Sequence, residues 1–538
     1  MRNWLAVSWV ILVAAACATP DSESSTSVAV DPLYEPEASS SPVSLGSVAR
    51  WSKVEIELMG PQSIGLSKSA NPFKIEVDVL FNGPGGRSYT VPAFYDGDGN
   101  GGLDGTIWKV RFTPDANGSW SYKSISSEPR LNGESGSFEV ESPTECSDYV
   151  PGGLPNLQCV GRLEYAGGHY LRFSDGPYWL KGGADDPEDF LAPGVNAGFS
   201  TKQAAIDYLA DKGVNSIYVL LNNVDGDGRN VWPWVGSNQA SAKANHEYFD
   251  LAKLEGWEQL FTYIQSKGLI LHLVLEDDSA WTGFDRTMYY REMIARFGHH
   301  NGIIWNIAEE YNESYSARQV KDFAQDIRSL DPYDHPITVH HAGSLSKWNP
   351  FVGDSRFDLT SFQTDASPQN VNANFWFAAV ESSGRTIPIS FDETGKLGAS
   401  DRDLARHIIW SVYLGGGNFE MHTFPLAGYP DFANHFSDMT RAREFVERLP
   451  FWEMRPSNEL ISSGQGYVFG KSGDVYAAYL PNGGSISIDL TGTSGEFRVS
   501  WFNPRDGSYT EQSSVSGGSV RTLAAPFGGD AVLLLSSN

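Results

Sequence analysis

Between residues 160 and 455 the sequence switches eight times between strand-type and helix-type patterning, which restricts the fold more than any other feature. The strand-type runs are Tyr178–Gly182, Ser216–Leu221, Leu269–Leu275, Ile303–Ala308, Ile337–His341, Leu359–Gln363, Ile387–Phe391 and Asn418–His422. Segments between them, such as WEQLFTYIQSKG, RTMYYREMIARFG, SARQVKDFAQDIRSL and DRDLARHIIWSVYLG, place apolar residues three and four apart, the spacing of one helix face. Eight strand–helix units in about 300 residues predict a (β/α)8 TIM barrel. An open doubly wound sheet is the other architecture for such a pattern, but no glycine-rich phosphate loop follows the first strand.

The flanks are patterned differently. Residues 47–145 carry short runs with an apolar residue at every second position, as in Val54-Glu55-Ile56-Glu57-Leu58 and Trp108-Lys109-Val110-Arg111-Phe112, broken by Gly, Pro and Asn. Such runs bury one sheet face each and predict a β-sandwich. Residues 456–538 return to this alternation (YVFGKSGDVYAAYL, FRVSWFNPRDG, AVLLL) and predict a second sandwich. Residues 146–159 form the hinge between the first sandwich and the barrel.

The net charge of −27 leaves no basic footprint for a phosphate backbone, so no nucleic-acid partner is expected. Trp4 to Ala16 is an apolar run too short to span a bilayer comfortably, preceded by Arg2 and ending at Cys17. Ala14-Ala15-Ala16-Cys17 resembles the lipobox of bacterial lipoproteins, with Ala14 where Leu is usual. The resemblance implies that residues 1–17 are a signal peptide with Cys17 as the lipidated residue. The chain would then be held at the cell surface or in the periplasm by a lipid anchor only; the alternative is a secreted protein. Residues 18–46, rich in Ser, Pro, Glu and Asp, read as a disordered tether. In an exported chain, the remaining pair Cys146 and Cys159 predicts a disulfide. The oligomeric state is not readable.

In a (β/α)8 barrel the reactive groups sit at the C-terminal strand ends. Strand four ends in IIWNIAEEY and offers Glu309 and Glu310; strand seven ends in IPISFDETG and offers Asp392 and Glu393. Paired acids across the barrel mouth are what glycoside hydrolysis requires. Alternation along strand four turns Ile303, Trp305 and Ile307 to the helices and Asn306, Ala308 and Glu310 to the lumen. The same test on strand seven does not separate Asp392 from Glu393.

These segments resemble the large clan of retaining glycosidases built on this barrel. Laid on its W-x-L-x-N-E pattern, Trp305 to Glu310 implies that Glu310 is the catalytic acid/base, and E-x-G on Glu393-Thr394-Gly395 implies that Glu393 is the nucleophile. The chain departs from the pattern at Glu309, where the clan has an Asn that contacts the sugar 2-hydroxyl. AFYDGDG and KVRFTPDANGSWSY resemble a domain of unknown function found ahead of glycosidase barrels, and the tail resembles a domain labelled as collagen-binding that closes many of them.

Further candidates for substrate binding are Glu309, Asn222, Trp232, Trp234, Glu276, His340, His341, Gln363 and His422, all at or just beyond strand ends. No cofactor is expected, and no HExxH sequence supports a catalytic metal. Asp96, Asp98, Asn100 and Asp104 resemble the first part of a calcium loop, without the Glu expected at its twelfth position. The expected function is therefore retaining hydrolysis of an oligo- or polysaccharide, with a marine algal galactan or other acidic glycan suggested by the acidity of the chain. The alternative is a non-catalytic surface protein that binds glycan or collagen.

Overall fold

The computed structural model describes residues 43–150, 153–185, 189–194, 198–278, 281, 283–395, 397–423 and 428–537. The signal peptide, Cys17 and nearly all of the tether lie outside the described residues.

The leading β-sandwich pairs a five-stranded sheet with a three-stranded one made of Val54–Ser63, Gly105–Phe112 and Phe94–Tyr95. Val54, Ile56 and Leu58 are buried while Glu55 and Glu57 between them point outward, as the alternation requires. The five-stranded sheet begins with Val43–Ala49, which pairs in parallel with Ser135–Glu141. Its first residues fall inside the stretch expected to be tether. Val48 of this strand packs against the sandwich core, and backbone pairing outweighs the polar composition around it. Phe81 and Phe112 stack at 4.2 Å across the two sheets.

The centre is an eight-stranded sheet of parallel strands in the order five, four, three, two, one, eight, seven, six. The strands in chain order are Gly182–Asp185, Ser216–Leu220, Ile270–Glu276, Ile303–Ala308, Ile337–Thr338, Phe362–Thr364, Ser390–Thr394 and Asn418–His422. Strands one and eight pair, and the Asp358 N–H just before strand six donates to the Ile337 carbonyl of strand five at 2.8 Å. The sheet is thus curled into the barrel. Strand one differs from expectation. Tyr178–Trp179 instead closes a three-stranded antiparallel sheet with Leu163–Tyr165 and Leu171–Phe173, because the turn at Gly176 folds the chain back. Its residues Leu163, Leu171, Phe173 and Trp179 pack on Ile270 and Ile304 at the N-terminal ends of the barrel strands.

The trailing sandwich has a six-stranded and a three-stranded sheet. It is fixed to the barrel by Arg406, which bonds Asp530 at 2.6 Å, and by Trp410 stacked on Tyr479. The leading sandwich is fixed by buried Arg111, whose guanidinium reaches Glu55 of its own domain and Glu255 and Glu258 of the barrel helix Leu251–Ser266. Cys146 and Cys159 form the disulfide, with Cα atoms 5.5 Å apart.

Candidate active site

The lumen beneath the barrel mouth is polar. Lys181, with no solvent exposure, donates to Asp392 at 2.8 Å and lies 2.9 Å from Glu420 and 3.1 Å from His272 Nδ1. A buried charge persists only where it is paired. Burial alone would push the Lys181 ammonium down, but the two carboxylates outweigh it and hold the group above its ordinary value. Burial, reinforced by Lys181, keeps the His272 imidazole neutral.

The next layer is the mouth. At the end of strand four Glu309 accepts from His340 Nδ1 at 2.8 Å and from the Tyr218 hydroxyl. Asn306, three residues earlier, donates to the same hydroxyl at 3.2 Å. Burial raises the Glu309 carboxyl, but His340 and Tyr218 outweigh it and leave it below its ordinary value. Burial likewise works against protonated His340, yet Glu309, then Glu393 and Asp392, raise its ring to about 9. A protonated imidazole therefore sits between two carboxylates, with Nε2 3.8 Å from Glu393.

Glu310 follows with φ at +36°, in the left-handed region that costs a non-glycine residue strain. That reversal ends the strand's alternation, so Glu309 and Glu310 both reach the mouth. The side-chain amide of Gln363 on strand six donates to Glu310 at 2.5 Å and to Glu393 at 2.7 Å. Glu393 also lies 3.6 Å from His422 Nδ1, itself 3.1 Å from the Gly395 carbonyl. Burial pushes the Glu310 carboxyl up to about 7 against the Gln363 hydrogen bond, and the charges of Glu309 and Glu393 add to the rise.

Strand seven explains why parity could not separate its two acids. Phe362 pairs with Phe391 and Gln363 with Glu393, so Asp392 is an extra residue in the register, a bulge of the kind that re-aims side chains. Asp392 drops into the lumen onto Lys181, and Glu393 is turned to the mouth.

Of the expected binding residues, Glu309, His340, Gln363 and His422 converge here. The others do not. Trp234 is fully buried against Trp281, Phe284 and Tyr289. Trp232 has the Lys253 ammonium over its ring and donates to the Gly236 carbonyl. Glu276 is gripped by Arg286 at 2.8 Å and Tyr315 at 2.7 Å and faces the helix side. Asn222 is buried and caps its own loop through the Val224 N–H. His341 is buried beside Phe362, its ring pushed down to about 3 by burial and by His340. For Trp234 and Glu276 the neighbours that hold the side chain are distant in sequence, whereas Asn222 is spent on its own loop. Sequence reasoning missed Tyr218, Lys181 and Glu420, although Ser216, Tyr218 and Leu220 share one parity on strand two.

The calcium loop is corrected as well. Asp96 is ion-paired to Lys109 at 2.8 Å, Asp98 accepts from the Asn100 and Gly102 N–H groups, and Asp104 accepts from Gly65. The carboxylates are committed separately to cations and backbone, and Asn100 donates its amide to the Asp98 carbonyl. At the mouth, Glu309, His340 and Glu393 lie close enough to share a cation, as do Asp278, Glu310 and Glu313. A protonated His340, however, is a donor and not a ligand.

Residues 47–127 match the family described as "Domain of unknown function (DUF5060)", and residues 459–536 match the "Putative collagen-binding domain of a collagenase". No curated protein matches the chain. Among solved structures, a "putative glycoside hydrolase" from Bacteroides vulgatus ATCC 8482 is 17% identical with a TM-score of 0.71, covering 91% of this chain and 100% of its own. A "glycoside hydrolase family 5" structure from the same organism is 16% identical with a TM-score of 0.57, covering 70% of this chain and 93% of its own. The chain thus shares with these glycoside hydrolases a (β/α)8 barrel, set here between two β-sandwiches that carry the two domain-family matches.

Proposed function

We propose that the protein is a retaining glycoside hydrolase. The observation that carries the reading is the single Gln363 nitrogen holding both Glu310 and Glu393. Two oxygens bound to one atom at 2.5 and 2.7 Å are no further apart than those lengths laid end to end. That bound is shorter than the roughly 6.5–9.5 Å an inverting pair needs for its water and agrees with the roughly 5–5.5 Å of a retaining pair.

Glu310, in its protonated form, donates to the departing glycosidic oxygen while Glu393 attacks the anomeric carbon and forms a glycosyl ester. Glu310, now ionised, takes a proton from water, which attacks the same carbon and releases the sugar with its configuration retained. Protonated His340 faces Glu393 at 3.8 Å. Glu309 supports that charge on His340, so it acts as a positioning residue in place of the clan's sugar-binding Asn.

The substrate is an oligo- or polysaccharide. Among algal galactans the acidic mouth, with Asp278, Glu309, Glu310, Glu313 and Glu393, favours a neutral chain and repels a sulfated or uronic one. The protein is exported and anchored by acylation of Cys17, which incorporation of labelled palmitate into wild type but not Cys17→Ala tests.

The functional test is proton NMR of products from neutral and acidic polysaccharides. Retention gives first-formed product with the anomeric configuration of the substrate, and Glu393→Gln abolishes turnover. A wild type that binds a glycan without cleaving it, as Glu393→Gln does, supports the non-catalytic binding reading instead.

A further inference from the structure

A cavity of about 490 Å³ lies at the seam between the leading sandwich and the N-terminal ends of the barrel strands, at the opposite end of the strands from Glu310 and Glu393. Its size falls in the roughly 300–1,000 Å³ range of small-molecule sites. One wall holds Arg162, which is 3% exposed. Its guanidinium lies 4.5 Å from the Tyr333 ring and 5.5 Å from that of Trp51, and donates one long bond, 3.4 Å, to the Thr113 carbonyl. Among the described residues no carboxylate lies within ion-pair reach of it, whereas the other two cavity arginines share Asp358. A guanidinium carries five N–H donors, and the one bond to Thr113 leaves the others for the cavity that Arg162 lines.

Asp115 shows the complementary deficit. Its Oδ2 accepts from Tyr89 at 3.0 Å and Arg87 at 2.9 Å, while its Oδ1 is buried with no partner. Asp115 accepts from the Tyr89 hydroxyl, and the Arg162 guanidinium is near enough to that hydroxyl to favour its ionised form. Surplus donors and a surplus acceptor therefore lie close together in one cavity, with Glu164 as a further acceptor on its lining.

An anion entering here would meet Asp115, Glu164, Asp334 and Asp358, and a cation would meet Arg162. A vicinal pair of sugar hydroxyls, each able to donate and accept, answers both deficits at once. We propose that this seam is a second, non-catalytic carbohydrate site that takes one or two neutral pyranose units through Arg162, Asp115 and Glu164. It rests on side chains remote from the mouth and stands whether or not the mouth is catalytic.

The test is calorimetric titration of the full-length Glu393→Gln chain with cellobiose, mannobiose, laminaribiose and galactobiose, with and without a seam substitution. Arg162→Met keeps an unbranched apolar stem and removes the donors; Glu164→Ala changes a half-buried residue and serves if the first variant does not fold. The expected result is that at least one disaccharide loses tenfold or more in affinity, or one equivalent of bound sugar, in the seam variant. In the otherwise wild-type chain the same substitution leaves hydrolysis of a soluble oligosaccharide unchanged. The proposal is overturned if no disaccharide binds, or if the seam variants titrate as the parent does. Failure of the mouth reading would show separately, as absence of turnover in wild type.

Discussion

Glu310 must carry its proton to act, and with its carboxyl near 7 that proton is lost as pH rises through neutrality. Turnover should therefore fall on the alkaline side with an apparent pKa near 7, measurable as the basic limb of kcat/KM against pH. Glu310→Gln should cost about 10²–10⁴-fold on substrates with poor leaving groups and remove that limb; a limb that persists would reject Glu310 as the acid. Glu309 makes a separate prediction. His340 owes its elevated value chiefly to this neighbour, so Glu309→Gln should move the ring's NMR titration from about 9 toward the ordinary value near 6.5. The interaction stabilises the fold fully below about 6.5 and is lost as pH rises through about 9. An unchanged titration would show that Glu309 does not hold the proton on His340.

At the scale of elements, the barrel strands depend on what fills the space between them. Lys181 lies just before strand one and neutralises acids from strands seven and eight. Lys181→Met keeps much of the volume but leaves Asp392 and Glu420 buried without a cation, which should cost about 3–5 kcal/mol in urea unfolding. A loss below 1 kcal/mol would show that the cluster is not a structural keystone. The ends of strands four and eight, at Ala308 and His422, agree with the pattern because burial is continuous along both runs up to these ends. Strand one was misplaced because the run from Tyr178 to Gly182 is equally apolar in an antiparallel hairpin and in a barrel strand, and only the turn at Gly176 distinguishes them. Trp234 and Glu276 were misread for a related reason. Each stands beyond or at a strand end, where direction depends on partners such as Tyr289 and Arg286 from the helix after strand three.

At the scale of the whole molecule, Cys146 and Cys159 tie the hinge segment leading into the barrel. Replacing both with Ser should lower stability by about 3 kcal/mol, read as a shifted denaturation midpoint; no shift would mean that the hinge gains nothing from closure. What the sequence determined by itself is the three-part architecture and the arrival of acids at the ends of strands four and seven. Periodicity and strand order are written in residues that are neighbours along the chain. Only the tertiary structure decided that both acids of strand four, but only Glu393 of the strand-seven pair, face the mouth. That choice rests on the positive φ of Glu310, the extra residue at Asp392 and the reach of Gln363 from strand six. Each of these is fixed by hydrogen bonds between segments far apart in sequence, and no local pattern encodes them.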